Sequence, residues 1–267
     1  MALTSSMGST PDADSSNDAP RDLGNAGNVA WAYERVRSLI LQGDLAPGDP
    51  ISQVKLSQRL GISRTPLREV LRLLENEGLV ESEHNRRVRV APLSLADVEE
   101  TYATRIVLEA LAIRLSMPTL DAYVTDQMRD ALEEMREQAA REDYERWSIP
   151  HRRFHQLATC GAEVRLSRML DQLSDHAERY RRLYTVQSPH AWSTGLLQHG
   201  AILDACLRKD PDGAAEALGR HLTHTALNTL TLVAPEHEPT RVRTALRMVL
   251  THHHDSTDRT CRIPRQS

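Results

Sequence analysis

Apolar side chains recur at helical spacing through one long stretch of this chain, from Asp97 to about Val233. Short polar turns divide the stretch into six segments, and each segment predicts an amphipathic helix. Helices with one apolar face bury those faces against one another, so this part of the chain is expected to form an all-α bundle. The predicted helices are Ala96 to Met117, Ala122 to Arg141, Tyr144 to Cys160, Ala162 to Tyr184, Trp192 to Arg208 and Pro211 to Leu232.

The length of the chain, 267 residues, exceeds that of one ordinary domain of roughly 150 residues. Its first part is rich in Ser, Asp, Gly and Pro and has no apolar periodicity, which predicts disorder. Aromatic residues make up only 4% of the sequence, and this favours helices over a large sheet. The expected organisation is a disordered arm at 1–28, a small domain at 29–92, the all-α bundle at 96–233 and a polar tail at 234–267.

Three short helical patterns lie in the small domain. The first ends at Gly43, the second spans Gln53 to Leu60, and the third begins after Ser63, a candidate N-cap. Two extended stretches follow at residues 79–82 and 88–90, with a polar tip between them. Three helices with a tight turn between the second and the third describe a helix-turn-helix, and the hairpin after them describes a wing. The fold class is therefore mainly α, with a small β-hairpin wing.

The third helix of this domain carries Arg64, Arg68 and Arg72 four residues apart, opposite its apolar stripe. Such a helix can enter the major groove of DNA, where an arginine fork pairs with both acceptors of guanine. Thr65 and the backbone N–H groups at the helix start can bind phosphate. The alternative is a solvated face on which the arginines pair with neighbouring glutamates, and the spacing alone does not decide between the two.

The net charge of −4 at first argues against nucleic acid, because most DNA-binding proteins have a basic excess. The charge is unevenly distributed, however. Residues 29–92 contain ten basic and eight acidic residues, whereas the segments on either side are acidic. The mild basic excess therefore lies in the segment that contains the helix-turn-helix.

The segment GISRTPLREVL at residues 61–71 closely resembles the recognition region of GntR-family bacterial repressors. The resemblance extends from about Val36 to Val90 and implies a winged helix-turn-helix domain. It also implies that two sets of residues contact DNA: Arg64, Thr65, Pro66 and Arg68 on the helix, and His84 and Asn85 at the wing tip, in the adjacent minor groove. Two positions depart from the family pattern, namely Gln53, where an acidic residue is usual, and Arg87, near which a glycine is common.

Twelve histidines occur in the chain, and their spacing indicates which of them can bind a metal ion together. His151 and His155 lie four residues apart on one predicted helix, so both side chains leave the same face. His199 and His221 lie on two other predicted helices that could bring them to the same interior. The alternative is that these imidazoles are hydrogen-bonded in the core or exposed, as isolated histidines usually are.

A second resemblance covers about Asp97 to Leu232 and concerns the FCD ligand domain in the fatty-acid-regulator branch of GntR proteins. It rests on four short motifs: Arg105-x-x-Leu108-Glu109, Phe154-His155, His199-x-x-Ile202-Leu203-x-Ala205 and His221-Leu222. The resemblance implies that an aspartate and three histidines bind a divalent metal ion, often zinc or nickel, which helps to hold a carboxylate effector.

His155, His199 and His221 match the three histidines of the family, and His151 stands where the family has its aspartate. Imidazole in place of carboxylate favours zinc, nickel or copper over manganese, magnesium or calcium, so zinc or nickel is the expected ion. Alternatively, His151 does not bind the metal and three imidazoles form the site with open positions.

Arg105 and Glu109 are spaced four residues apart, which is compatible with an ion pair on the helix surface. The family resemblance implies a different role, in which Arg105 points into the bundle and anchors the carboxylate of the effector. A guanidinium fork is chemically suited to that role.

Together these features predict a ligand-responsive transcriptional regulator, a repressor, that binds a palindromic double-stranded DNA operator as a homodimer. A small organic acid effector is expected to alter operator binding. The alternatives are a direct metal sensor and a metal-dependent enzyme; no general base is recognisable beside the histidines, so no catalytic residue and no enzyme are expected. The three cysteines lack any CxxC spacing, and the sequence has neither a secretory signal nor a membrane-spanning run, which predicts a cytoplasmic protein that does not bind membranes.

Overall fold

A computed structural model of the chain describes residues 25–83, 87–188 and 190–250. These residues form two compact units, which we describe separately. The first contains the described residues up to Ile40 together with Asp49–Val90, and the second contains Leu41–Gly48 together with the described residues from Ala91 onward. Within the described ranges, no helix is both long enough and apolar enough to cross a membrane.

The first unit has three helices and a small antiparallel sheet with the strand order β1-β3-β2. Its elements are α1 (Asn25–Leu41), β1 (Pro50–Ile51), α2 (Gln53–Leu60), α3 (Arg64–Asn76), β2 (Val80–Glu83) and β3 (Arg87–Val90). Gly61 ends α2 in the left-handed conformation, with a φ of 65°, and its N–H group donates to the carbonyls at the end of that helix. The chain can therefore turn sharply, and α3 begins three residues later.

The packing of the first unit determines which side of α3 faces outward. Leu67, Val70, Leu71 and Leu74 are buried on one side of the helix. Their spacing follows the helical repeat, so the positions between them lie on the opposite, exposed side. The winged helix-turn-helix predicted from the sequence is thus the fold of this unit.

The strand β1 lies between the first two predicted helices, where the sequence predicts no strand. Pro50 pairs with Arg89 and Ile51 pairs with Val88, so the wing is a three-stranded sheet rather than a simple hairpin. A two-residue strand is too short to show an alternating pattern, and only the tertiary pairing reveals it. The wing-tip residues His84 and Asn85 lie outside the described residues.

The second unit is an all-α bundle. Its helices are α4 (Leu95–Ser116), α5 (Ala122–Ala139), α6 (Tyr144–Ala158), α7 (Val164–Gln187), α8 (Ala191–Leu207), α9 (Pro211–Val233) and α10 (Thr240–Leu250). Ser94, Asp121, Asp143 and Asp210 precede α4, α5, α6 and α9, and each side chain accepts a hydrogen bond from the first turn of its helix. One side of the helix α4 packs against α7, α9 and α10, and another side is exposed.

The helix α10 corrects the expectation of a polar tail from residue 234. Val242, Ala245 and Val249 are buried on one face of this helix, which packs against α4 and α9. Val249 lies beside Gly219 of α9, since a Cβ atom at Gly219 would make an ordinary van der Waals contact of 3.4 Å with its Cγ1 atom. Arginine and threonine occupy much of α10, so its short apolar face is diluted in the sequence.

Candidate functional site

The start of α3 forms the candidate DNA-binding surface of the first unit. Arg64, Thr65 and Arg68 are all exposed there. Ser63 stands at the N-cap position, but its hydroxyl group makes no capping hydrogen bond. The first N–H groups of α3 are therefore not capped by this side chain, and N–H groups in that position can bind phosphate.

Pro66 differs from its three neighbours, because its side chain is buried. The sequence-based expectation that all four residues face DNA is therefore wrong for Pro66. The reason is its spacing: Pro66, Val70 and Leu74 are four residues apart and share the inward side of α3. Proline in the first turn of a helix has a backbone conformation suited to that position, so Pro66 shapes the helix start.

Four histidines meet in the interior of the second unit. His151 and His155 come from α6, His199 from α8 and His221 from α9. All four are buried, and a ring nitrogen from each lies within 4.8 Å of the corresponding atoms of the other three. The structure thus brings together all four histidines that the sequence predicted as metal ligands.

Two of these rings are oriented by a hydrogen-bond acceptor at Nδ1, and a third has a carboxylate oxygen farther from its Nδ1 atom. The Nδ1 atom of His199 lies 2.6 Å from the carbonyl oxygen of Gly195, and that of His221 lies 2.9 Å from Oε1 of Gln198. The Nδ1 atom of His155 lies 3.4 Å from Oε2 of Glu109. Because the oxygens beside His199 and His221 can only accept, the Nδ1 atoms of these two rings carry the proton, and the Nε2 atom of each neutral ring is left with a lone pair.

The Nε2 atoms of His155 and His199 are 3.2 Å apart. When both rings are neutral and carry their protons on Nδ1, two lone pairs face each other across this distance. Two nitrogens bound to one zinc ion at about 2.0–2.1 Å in a tetrahedral site lie roughly 3.3 Å apart. The spacing therefore fits a pair of ligands to one metal ion.

His151 provides a separate indication. Neither of its ring nitrogens has a hydrogen-bond partner among the described residues, although the side chain is buried. Its ring packs against Trp147, with the two ring centroids 4.4 Å apart. A buried polar atom without a partner is costly, and a metal ion at the cluster would supply one for His151.

The environment of the cluster favours neutral imidazoles. Burial lowers the pKa of all four histidines, to about 3 for His199. The positive charge of Arg181, on α7, lowers each pKa further. Since only the neutral ring binds a metal ion, the site holds its ligands in the competent form at neutral pH.

Arg105 and Glu109 form a buried ion pair, with Nε of Arg105 2.7 Å from Oε1 of Glu109. Burial would raise the pKa of Glu109, but Arg105 and His155 together lower it to about 2. The carboxylate is therefore charged, and it connects Arg105 to His155. Its contact with His155 is a role that the sequence did not reveal, because it depends on how α4 and α6 pack.

Arg105 also lines a cavity of about 150 Å³ on the His155 side of the cluster. Glu109, Arg152 and Asp171 are among the other lining residues, so the walls carry charges of both signs. Arg105 thus both pairs with Glu109 and lines the cavity. The ion pair expected on the helix surface is therefore a buried one, and the role of Arg105 as an effector anchor stays a prediction.

Two family models match the chain. The model described as "Bacterial regulatory proteins, gntR family" matches residues 29–90, and the model described as "FCD domain" matches residues 100–224. A regulator encoded in the TAR-I ttuE-ttuC' intergenic region of Agrobacterium vitis is 35% identical over 145 residues, covering 53% of this chain and 85% of that protein. The chain belongs to the GntR family of bacterial regulatory proteins.

Other GntR relatives extend this comparison. The HTH-type transcriptional repressor GlaR of Escherichia coli is 28% identical over 201 residues, which cover 71% of this chain and 90% of that protein. The structure of E. coli McbR/YncC has a TM-score of 0.69 and 20% identity, covering 77% of this chain and 98% of that one, and it shows the shared fold. This GntR chain is a transcriptional regulator with a DNA-binding domain and an FCD domain, and its relatives are regulators rather than enzymes.

Proposed function

We propose that this GntR regulator binds one divalent metal ion through His151, His155, His199 and His221, and that a small organic acid bound beside the ion changes its affinity for operator DNA. The observation that carries the proposal is the arrangement of the rings. Three Nδ1 atoms face acceptors, while the Nε2 atoms of His155 and His199 face each other at 3.2 Å.

The donor set indicates which ions suit the site. Four neutral imidazoles favour borderline metals such as zinc and nickel over hard ions such as magnesium and calcium. The four rings carry no negative charge, so they leave the ion's two positive charges uncompensated. An aspartate ligand in place of one ring would neutralise one of these charges. When bound, the ion would supply a positive centre that can accept a carboxylate oxygen.

The cavity at Arg105 supports a small effector. Its volume is about 150 Å³, and a cavity of about this size accommodates a molecule the size of benzene. Arg105 and Arg152 offer cationic groups at its wall, and His155 connects it to the histidine cluster. An organic acid of three to six carbon atoms would fit, held by Arg105 and by the ion at the cluster.

Operator binding would use Arg64, Thr65 and Arg68 of α3 in the major groove. One winged head reads only a few base pairs, so a two-fold dimer on a palindromic operator supplies the specificity that a regulator needs. Leu111 and Leu115 in α4 are 47% and 52% exposed and share one face of the helix. We expect a second copy of the chain to cover this apolar face.

Regulation requires that the effector bind one arrangement of the two heads better than the other, because equal affinity shifts no equilibrium. A direct metal sensor is the second candidate, and the ion pair between Arg105 and Glu109 favours it. In that pair the guanidinium already has a carboxylate partner within the protein.

Two measurements on the full chain test these proposals. Elemental analysis of dialysed protein is expected to find one zinc or nickel ion per chain, and its absence would rule out the metal site. Binding to the DNA that flanks the gene is then titrated with zinc alone and with organic acids at constant zinc. Release of the DNA on addition of an organic acid supports the effector proposal, and release of the DNA on addition of zinc alone supports the metal sensor.

A further inference from the structure

A second cavity adjoins the histidine cluster on the side opposite Arg105. Its volume is about 20 Å³, enough for about one water molecule or one carboxylate oxygen. His151, His199 and His221 line it, whereas the cavity at Arg105 is lined by His155. The remaining lining residues come mainly from α7, α8 and α9 and include Arg181, Gln198, His224 and Thr225.

Arg181 is the charged residue of this cavity, and its side chain is only 5% exposed. One end of the guanidinium is ion-paired with Glu178, whose other oxygen accepts a hydrogen bond of 2.7 Å from Tyr144. The Nε atom of Arg181 has no hydrogen-bond partner among the described residues. A buried guanidinium donor without a partner is unusual, since native structures satisfy most buried polar atoms.

The charges around the cluster favour an anion in this place. Arg105 is balanced by Glu109, and Arg181 is balanced by Glu178. Four neutral histidines add no charge, so a divalent ion at the cluster would bring two positive charges with no buried counterion. An oxyanion between that ion and Arg181 would compensate this charge and could accept from Nε of Arg181.

From this geometry we infer that Arg181 and the small cavity beside it form a binding subsite for one oxyanion group, a carboxylate or a phosphate, of the ligand that the regulator senses. The inference rests on the proposed metal site and adds to it a second cationic contact, across the cluster from Arg105. The cavity admits about one oxygen atom of this group, so the remainder of the ligand would have to widen it.

The test uses the zinc-loaded full chain and isothermal titration with acetate, malonate and inorganic phosphate. Arg181→Gln is expected to weaken binding of the preferred anion at least tenfold and to leave zinc affinity equal or higher, because a positive charge next to the ion is removed. Comparison of acetate with phosphate identifies the preferred oxyanion. Arg182→Gln is the matched control, since Arg182 is the next residue on α7 but pairs with Glu145.

A second variant covers the case in which Arg181→Gln fails to fold. Gly195 lines the same cavity, and a Cβ atom there would meet no heavy atom within 4 Å. Gly195→Leu keeps the backbone carbonyl at Nδ1 of His199 and has room for its Cβ atom, so we expect it to fold and to bind zinc, while its longer side chain hinders the anion at the cavity. In cobalt-substituted protein, the visible spectrum should change on addition of acetate in the wild type and remain unchanged in Gly195→Leu.

The possible failures are distinct. If a folded, zinc-binding Arg181→Gln variant binds the anions as tightly as the wild type, while Arg105→Gln does not, the subsite at Arg181 is ruled out and the effector site at Arg105 stands. If the zinc-loaded wild type binds none of the three anions, the proposed effector function fails, and the subsite fails with it.

Discussion

The ring of His155 has Glu109 at one nitrogen and His199 at the other: Nδ1 lies 3.4 Å from Oε2 of Glu109, and Nε2 lies 3.2 Å from Nε2 of His199. A carboxylate at Nδ1 fixes the ring orientation and increases the basicity of Nε2. Glu109 thereby links a buried arginine, a histidine and the candidate metal site.

Replacement of Glu109 by Gln tests this link. We expect zinc affinity to fall about 10- to 100-fold, as is usual when a partner of a metal-binding histidine is lost. Competition with a chromophoric chelator measures the change. Glu216→Gln serves as the control, because Glu216 pairs with Arg220 on the surface of α9. An unchanged zinc affinity in a folded Glu109→Gln variant would contradict the link.

Replacement of His151 separates a four-histidine site from a three-histidine site. If all four rings bind the ion, His151→Ala lowers zinc affinity at least tenfold, whereas His151→Asp retains binding and shifts the preference toward manganese. The same chelator competition, carried out with both metals, gives the result. His224→Ala is the control, because His224 lies one turn from His221 and outside the cluster. Equal zinc affinity in His151→Ala would leave a site of three histidines.

The stability of the metal-free protein should depend on pH through the same histidines. Their pKa values lie below 6.5 in the folded chain, at about 3 for His199, so the unfolded chain takes up protons first as the pH falls. The stabilisation is present above about pH 6.5 and is lost as the pH falls toward the folded pKa. His199, whose folded pKa is about 3, is expected to cost about 1 kcal/mol between pH 7 and pH 5.5, and the lowered pKa values of the other three histidines add to the loss in the same direction.

Urea unfolding in the presence of a chelator, at a series of pH values, measures this loss. A His199→Gln variant has one such group fewer and should show a shallower dependence on pH. A free energy of unfolding that is constant between pH 7 and pH 5.5 would mean that these rings titrate normally in the folded chain.

The exposed arginines of α3 should determine operator affinity. Arg64→Ala and Arg68→Ala are each expected to weaken specific binding by about 1–3 kcal/mol, the usual value of a bidentate base contact. Fluorescence anisotropy at fixed salt concentration measures the affinity of each variant for operator DNA and for nonspecific DNA in parallel. Arg220→Ala, on the surface of α9, is the control. Wild-type affinity in both α3 variants would exclude this face of the helix from DNA recognition.

Much of the fold could be predicted from sequence patterns within single helices and turns. The mainly α class and the winged helix-turn-helix follow from apolar periodicity and from Gly61, whose left-handed conformation ends α2 where the sequence predicts. The four-residue spacing of His151 and His155 also requires that the two side chains share a face. These features depend on one helix or one turn, and a single sequence contains that information.

Other features depend on contacts between distant segments. The strand at Ile51 exists because it pairs with Val88, and α10 is held by its packing against α4 and α9. Arg181 lies in a run of charged residues that indicates a solvated surface, yet the packing of α7 buries it beside the histidines. No periodicity within one segment could have predicted these placements.

The close contact between Gly219 and Val249 has a practical consequence for the FCD segment. The matched segment ends at residue 224, but α10 packs against α4 and α9, and its Val249 lies beside Gly219, two residues before His221. A fragment cut to the matched segment would expose this interior surface and leave the helix of a candidate metal ligand unsupported. The smallest independently folding form of this domain must therefore extend at least to Leu250.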